Sequence, residues 1–211
     1  MPRPLPLLAD RFDDDCRPLK SFYRRLELNH SAVTLPNLGL TLSGLELSYE
    51  LLYLKVFLPW EQFQQDVFAR LLMGFQSNGG VETFQPGIGR CQSLQQADLL
   101  ILNGRSYKLW HDPVTVIARC DVFFDPASSY FRTVIASSQA ALRNFSAIRH
   151  RIAHSQDHAR TQFDNATMTL AGRRYPNASA GKFLRDRVPG SQIRWFEHIC
   201  SELSDITHQL C

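Results

Sequence analysis

The pattern of apolar and polar positions along the chain predicts a mainly helical protein. Residues 45–57 are strongly apolar and rich in helix formers, which at this length favours a buried helix over a strand. Pro59 marks a boundary, because proline is favourable at the start of a helix, and a second, amphipathic helix is expected from there to the turn residues 77–80. Its apolar residues recur at three- and four-residue spacing: Trp60, Phe63, Val67, Phe68, Leu71, Leu72 and Phe75.

The second half of the chain predicts further helices. Asp112 followed by Pro113 is a good N-cap and first-turn pair for a short helix. Another helix should begin near Pro126, and the following run contains no Gly or Pro, so we expect one long helix or two with a joint near Asn144. A final amphipathic helix is predicted over about residues 191–210.

Three stretches have weaker helical periodicity. Residues 1–42 mix proline with an acidic run and a basic patch, which predicts an irregular N-terminal extension. Residues 81–111 are expected to form a loop-rich insert with one short helix over 94–102. Residues 168–176 alternate in polarity, which is compatible with a small β-hairpin around Gly172.

Length and composition favour one soluble domain. With 211 residues, of which 44% are hydrophobic and 20% charged, the chain can bury a core unaided and is not disordered by composition. We expect a single domain over residues 1–211, with the helical core at 43–163 and a basic loop or hairpin plus the C-terminal helix at 164–211. No stretch predicts a membrane span, and the proline-rich start differs from a secretory leader, so the interpretation is a cytoplasmic protein without a membrane partner.

Positive charge is concentrated in the last third of the chain. The net charge is +3, but residues 130–195 hold eleven Arg and Lys against three Asp, whereas residues 1–129 carry −2 and residues 196–211 carry −3. Ten of these eleven cations are Arg, whose planar fork of donors matches phosphate oxygens. The bias favours a polyanionic partner such as nucleic acid. The alternative is an Arg-rich composition with cations spread over the surface.

Residues 147–155, AIRHRIAHS, are the chemically densest stretch of the chain. They resemble the signature of the HEPN superfamily of small helical-bundle domains, which is an Arg, commonly followed by Asn, Asp or His, and then a His four to six residues further along. Arg149, His150 and His154 match this signature in its four-residue-gap form. The resemblance extends more loosely to the apolar helices within residues 45–75 and 112–145.

The resemblance implies an HEPN-like helical bundle and metal-independent endoribonuclease activity. His154 would be the general acid/base, Arg149 the phosphate clamp, and His150 a residue that orients His154 or the substrate. The residue types suit this chemistry, because imidazole exchanges protons near neutral pH and Arg stays charged beside a phosphate. Attack by the ribose 2′-hydroxyl would give a 2′,3′-cyclic phosphate and a 5′-hydroxyl, with DNA inert.

The family resemblance also implies a setting and partners. A toxin–antitoxin pair or antiviral (phage) defence is expected, with an antitoxin or regulatory protein as a further partner. The residues expected to bind RNA are Arg143, Arg151, His158, Arg160, Arg173 and Arg174. The alternative is a non-catalytic HEPN module that binds RNA or nucleotides or scaffolds a complex.

Helical geometry argues against a site built by one copy of the motif helix. Arg149 and His154 point about 140° apart on an ideal helix, whereas His150 and His154 share a face. In HEPN ribonucleases the motifs of two protomers typically face each other, so we expect a two-fold homodimer with a composite active site. Two rival Arg–His pairs with gaps of six residues are also present: Arg143 with His150, and Arg151 with His158.

A metal site is the competing interpretation of the histidines. His150, His154 and His158 repeat every four residues, with Asp157 beside the last, and two His on one helix face can bind zinc. The cation Arg151 within this run disfavours a divalent ion. The five cysteines are scattered without a C-x-x-C pair, which predicts reduced thiols. We therefore predict no metal and no other cofactor.

Overall fold

A computed structural model of the protein describes residues 3–32, 40–104, 108–176 and 179–211. The mainly-α prediction is confirmed. The helices are α1 (Leu8–Ala32), α2 (Leu42–Leu72), α3 (Leu94–Leu102), α4 (Pro113–Phe123), α5 (Tyr130–Ser137), α6 (Gln139–Ala153), α7 (Asp157–Ala171), α8 (Ala180–Arg185) and α9 (Trp195–Leu210). Among these described helices, none combines the length and the apolar character that a membrane crossing requires.

A two-stranded antiparallel sheet follows α2. Strand β1 (Gln76–Ser77) pairs with β2 (Gly80–Val81), with Gln76 opposite Val81. The predicted hairpin around Gly172 is wrong, because α7 continues to Ala171. Gly172 ends that helix at φ 68°, and its N–H donates to the Met168 carbonyl at 3.0 Å.

The prediction of an irregular segment over residues 1–42 is wrong for its larger part. Helix α1 is 25 residues long and contains Pro18. Its apolar residues recur every four or seven positions, which places them on one face of the helix. The free energy gained by burying this face offsets the loss of the backbone hydrogen bond that Pro18 cannot donate. The buried residues of this face are Leu8, Phe12, Cys16 and Tyr23.

The predicted break at Pro59 is also wrong, since α2 continues through this residue. Val56, Phe57, Trp60 and Phe63 are buried on both sides of the proline, so burial of the apolar residues outweighs its local cost. The expected joint near Asn144 lies inside α6, and the chain instead leaves helical structure at Ser138 and at residues 154–156.

Two predicted helices are confirmed, and each begins with a local side-chain cap. Ser93 caps α3 by accepting from the Gln96 N–H at 3.1 Å, and α3 has the predicted bounds of residues 94–102. Asp112 caps α4 by accepting from the Val114 N–H at 3.2 Å, with Pro113 in the first turn. Parts of the predicted extension, insert and basic C-terminal segment lie outside the described residues, namely residues 1–2, 33–39, 105–107 and 177–178.

The chain divides into two compact units, each assembled from separate segments of the sequence. The first unit comprises Met1–Phe12, Trp60–Leu142 and Leu203–Cys211, and the second comprises Asp13–Pro59 and Arg143–Glu202. That the whole chain is one domain, with its core at residues 43–163, stays a prediction.

The first unit has an aromatic core centred on Phe68 of α2. The Phe68 ring lies 5.1–5.8 Å, between ring centroids, from the rings of Trp110, Phe123, Phe124 and Phe131. Contacts of this kind between buried aromatic rings stabilise the fold by more than the burial of their apolar surface area alone. They hold α4 and α5 against α2.

The second unit has two aromatic clusters. Tyr23 and Tyr49 contact Phe196, with ring centroids 5.2–5.8 Å apart in this group of three. Phe183 of α8 contacts Phe163 of α7 at 6.1 Å and stacks on Trp195 of α9 at 5.1 Å. The second cluster fixes the positions of α7, α8 and the start of α9 relative to one another.

Candidate functional site

The predicted catalytic motif lies at the C-terminal end of α6, within the second unit. His150 is in the last turn of α6, Arg149 directly precedes that turn, and His154 is the first residue after the helix. The N–H of His154 donates to the His150 carbonyl at 2.9 Å, so the helical turn continues through that nitrogen. The two imidazole rings are therefore neighbours, with centroids 4.5 Å apart and planes tilted by 50°.

A buried hydrogen bond anchors this part of α6 to α2. Tyr53 is fully buried, and its hydroxyl donates to the Phe145 carbonyl at 3.0 Å, one turn before Arg149. Burial raises the pKa of Tyr53 well above its usual value, so the hydroxyl remains a donor. Phe145 and Ile148 are themselves buried, which fixes the rotation of α6 about its axis.

The rotation of α6 turns the two imidazoles away from the apolar stripe. On an ideal helix, His150 and His154 lie about 150–170° from the centre of the stripe formed by Phe145, Ile148 and Ile152. His154 is exposed and His150 is half-buried. The ring of His154 is thus accessible from solvent, as proton exchange with a bound polymer requires.

Arg149 lies on a different side of the helix. Helical geometry places it about 70° from the centre of the apolar stripe and about 140° from His154. Its side chain is half-buried, in contrast to the exposed His154. One copy of α6 therefore does not direct the motif Arg and the motif His to the same side.

Arg143 shares the face of the two histidines. It lies two helical turns before His150 and about 20° from it around the helix axis. Arg143 is exposed and pairs with no carboxylate in the part of the chain that the structure describes. The four-residue-gap motif pairs His154 with Arg149, whereas the seven-residue spacing from Arg143 to His150 indicates this shared face from the sequence alone.

Some of the other predicted RNA-binding residues are exposed to solvent, and others form hydrogen bonds or salt bridges within the protein. His158 and Arg160, near the start of α7, and Arg174 are exposed. Arg151 is half-buried and donates through Nη1 to the His154 carbonyl at 3.4 Å. Arg173 is engaged within the protein, as its guanidinium contacts a carboxylate and a tyrosine hydroxyl.

The network around Arg173 is a closed triangle. Arg173 Nη2 lies 2.7 Å from Asp186 Oδ2, Arg173 Nε donates to the Tyr175 hydroxyl at 3.0 Å, and this hydroxyl donates to the same Asp186 oxygen at 2.8 Å. Burial and the neighbouring carboxylate raise the pKa of Tyr175 to about 12. Among the predicted RNA-binding residues, Arg173 alone forms a salt bridge with another described residue.

Charge is distributed unequally between the two units. From the sequence, the segments of the second unit carry a net charge of +4 and those of the first unit −1, and all nine predicted site residues lie in the second. Arg185 and Arg194 of the second unit both form salt bridges with Glu27, at 3.2 and 2.7 Å, so the two cations share one carboxylate. We call residues 130–195 the basic segment. Across the described residues of the second unit, five exposed cations of this segment pair with no carboxylate: Arg143, Arg160, Arg174, Lys182 and Arg187.

The competing zinc site has no ligand set in the described ranges. There, no group of three or more His, Cys, Asp or Glu side chains is arranged to hold a metal ion. All five cysteines lie within the described residues, and each is a free thiol there. Burial raises the pKa of the Cys16 thiol to about 12, which keeps it protonated and unreactive at neutral pH.

Comparison of the chain with protein-family models, with curated protein sequences and with solved structures finds no match in any of the three.

Proposed function

We propose that the protein is a metal-independent endoribonuclease of the HEPN type. The observation that carries the proposal is the pair of adjacent imidazoles of His150 and His154, directed away from the core at the end of α6, with the exposed cation Arg143 on the same face. Such an arrangement combines proton exchange with phosphate binding. The toxin–antitoxin or antiviral defence setting, with an antitoxin or regulatory protein as partner, belongs to the same proposal.

The reaction needs no group beyond side chains and the RNA itself. His154 takes the proton of a ribose 2′-hydroxyl, the 2′-oxygen forms a bond to phosphorus, and the bond from phosphorus to the 5′-oxygen breaks. The departing 5′-oxygen takes up the proton from the His154 imidazolium, which restores the neutral imidazole and leaves a 2′,3′-cyclic phosphate and a 5′-hydroxyl. His150, 4.5 Å from His154 between ring centroids, orients the reacting imidazole.

The phosphate clamp is proposed to come from a second protomer. Because Arg149 points about 140° away from His154 on its own helix, a two-fold dimer brings the Arg149 of one chain toward the His154 of the other. There its guanidinium stabilises the negative charge that develops on the phosphate oxygens. The exposed cations of the basic segment hold the rest of the RNA backbone.

The test is cleavage of a labelled RNA in excess EDTA. The expected result is cleavage at an unchanged rate with chelator, no cleavage of DNA of the same sequence, and loss of a single cut when the ribose at that position is replaced by 2′-deoxyribose. A metal-dependent nuclease would stop in EDTA, and cleavage of the DNA would exclude attack by the 2′-hydroxyl.

The second candidate function is an RNA- or nucleotide-binding module without turnover. Five exposed cations within residues 143–195 have no carboxylate partner in the described part of the chain, and they favour it because they suit phosphate binding whether or not a bond is cut. In the same assay this module would bind RNA with strongly salt-dependent affinity and leave it intact.

A further inference from the structure

The first unit contains a cavity of about 520 Å³ that is partly open to solvent. It lies beside α3 and α4, and its wall is mainly apolar. A volume of this size is in the usual range for small-molecule sites. The apolar residues of the wall are Ile88, Leu100, Ile101, Leu109, Val122 and Phe123.

A buried cation also lines this cavity. Arg119 of α4 is only 8% exposed, and its guanidinium lies over the Trp110 ring at 4.1 Å from the centroid. One hydrogen bond, from Nη2 to the Leu109 carbonyl at 3.4 Å, is long. In the part of the chain that the structure describes, the buried Nη1 of Arg119 has no hydrogen-bond partner.

No carboxylate lies beside Arg119 in the cavity wall as far as the structure describes it. None of the described residues that line the cavity is Asp or Glu. Burial lowers the pKa of the Arg119 guanidinium, but arginine stays charged at neutral pH. A buried guanidinium without an anion is unfavourable, and an incoming anion that supplies the missing acceptor relieves this.

The mouth of the cavity is apolar as well. Leu100, Leu109 and Val122 line the cavity and are 39%, 44% and 59% exposed. Neighbouring apolar side chains left in water indicate a surface that a ligand covers. The site therefore combines a cationic interior with an apolar entrance.

We propose that this cavity binds a small amphipathic carboxylate, with its carboxylate on Arg119 Nη1 and its hydrocarbon body against Leu100, Leu109 and Val122. Charge-assisted hydrogen bonds between guanidinium and carboxylate are short and strong, and the apolar wall accounts for an aliphatic or aromatic body. The site lies in the first unit, so it is independent of the ribonuclease motif and of the proposed function.

Isothermal titration of the whole protein with decanoate and with decanol, in a buffer without carboxylates, tests the proposal. Decanoate should bind at least about 10-fold more tightly than the uncharged alcohol. In Arg119→Met, decanoate affinity should fall to that of decanol. The matched control is Arg11→Met, which removes an exposed arginine of the same unit and should leave both affinities unchanged.

A second variant tests the location without changing any charge. Ala118 is exposed on α4 and lines the cavity, so Ala118→Trp should fill it and abolish binding of both ligands while leaving the melting temperature near that of the wild type. Equal affinity of the wild type for decanoate and decanol would overturn the proposal. So would decanoate binding that survives Ala118→Trp, even if Arg119→Met fails to fold.

Discussion

Replacing His154 with alanine should lower the rate of RNA cleavage about a thousandfold. The proposed mechanism uses this imidazole to take the 2′-hydroxyl proton, and loss of a general acid/base typically costs two to four orders of magnitude. The residue is exposed and follows the last helical residue of α6, so its removal should not alter folding. The matched control is His208→Ala, an exposed histidine in α9 of the first unit, which should retain full activity.

Mixing the His154→Ala variant with an Arg149→Ala variant tests whether the active site is composite. Arg149→Ala should be nearly as inactive as His154→Ala, and after subunit exchange half of the dimers in an equimolar mixture are hybrids. Each hybrid holds one site with both residues intact if Arg149 and His154 come from different protomers, so the mixture should recover about a quarter of wild-type activity. No recovery, with hybrids demonstrated by size or mass, would show that each chain builds its site alone.

Gly181→Ala should destabilise the protein by about 3 kcal/mol. A Cβ atom at this position would lie 2.0 Å from the Glu46 carbonyl oxygen and 2.5 Å from the Glu46 carbonyl carbon, both main-chain atoms of α2 that cannot rotate away. The close approach is held by hydrogen bonds from the Gly181 N–H to Glu50 at 3.0 Å and from the Ser179 hydroxyl to Glu46 at 2.6 Å. Alanine must therefore displace α8 from α2.

Chemical or thermal unfolding measures this effect. The control is Gly89→Ala, since a Cβ atom at Gly89 meets no atom within 4 Å and needs no left-handed backbone. It should unfold within about 0.5 kcal/mol of the wild type. If Gly181→Ala were as stable as this control, the close packing of α8 on α2 described above would be wrong.

Helices that are specified by local signals could be predicted from the sequence. The Asp112–Pro113 pair acts within one turn, so α4 could be predicted without knowledge of the fold, and the Ser93 cap that the structure shows for α3 is equally local. Helices α1 and α2 contain Pro18 and Pro59, whose local effect is to interrupt a helix. Burial of apolar faces overrides that effect, and burial is a property of the folded chain.

For the candidate site too, local features could be predicted from the sequence and long-range contacts could not. The four-residue spacing of His150 and His154 implies adjacent rings, and their centroids are 4.5 Å apart. The engagement of Arg173 was not predictable, because its partner Asp186 is 13 residues away and is brought close only by folding. The burial of Arg119 of α4 against Trp110 of the predicted loop-rich insert depends on tertiary packing in the same way.

The chemical ends of the cleaved RNA test the central claim most directly. Mass spectrometry of the products formed in EDTA should find a 2′,3′-cyclic phosphate on one fragment and a 5′-hydroxyl on the other, with both absent when His154→Ala replaces the wild type. Fragments with a 3′-hydroxyl and a 5′-phosphate, or RNA left intact by the wild-type protein, would contradict the account.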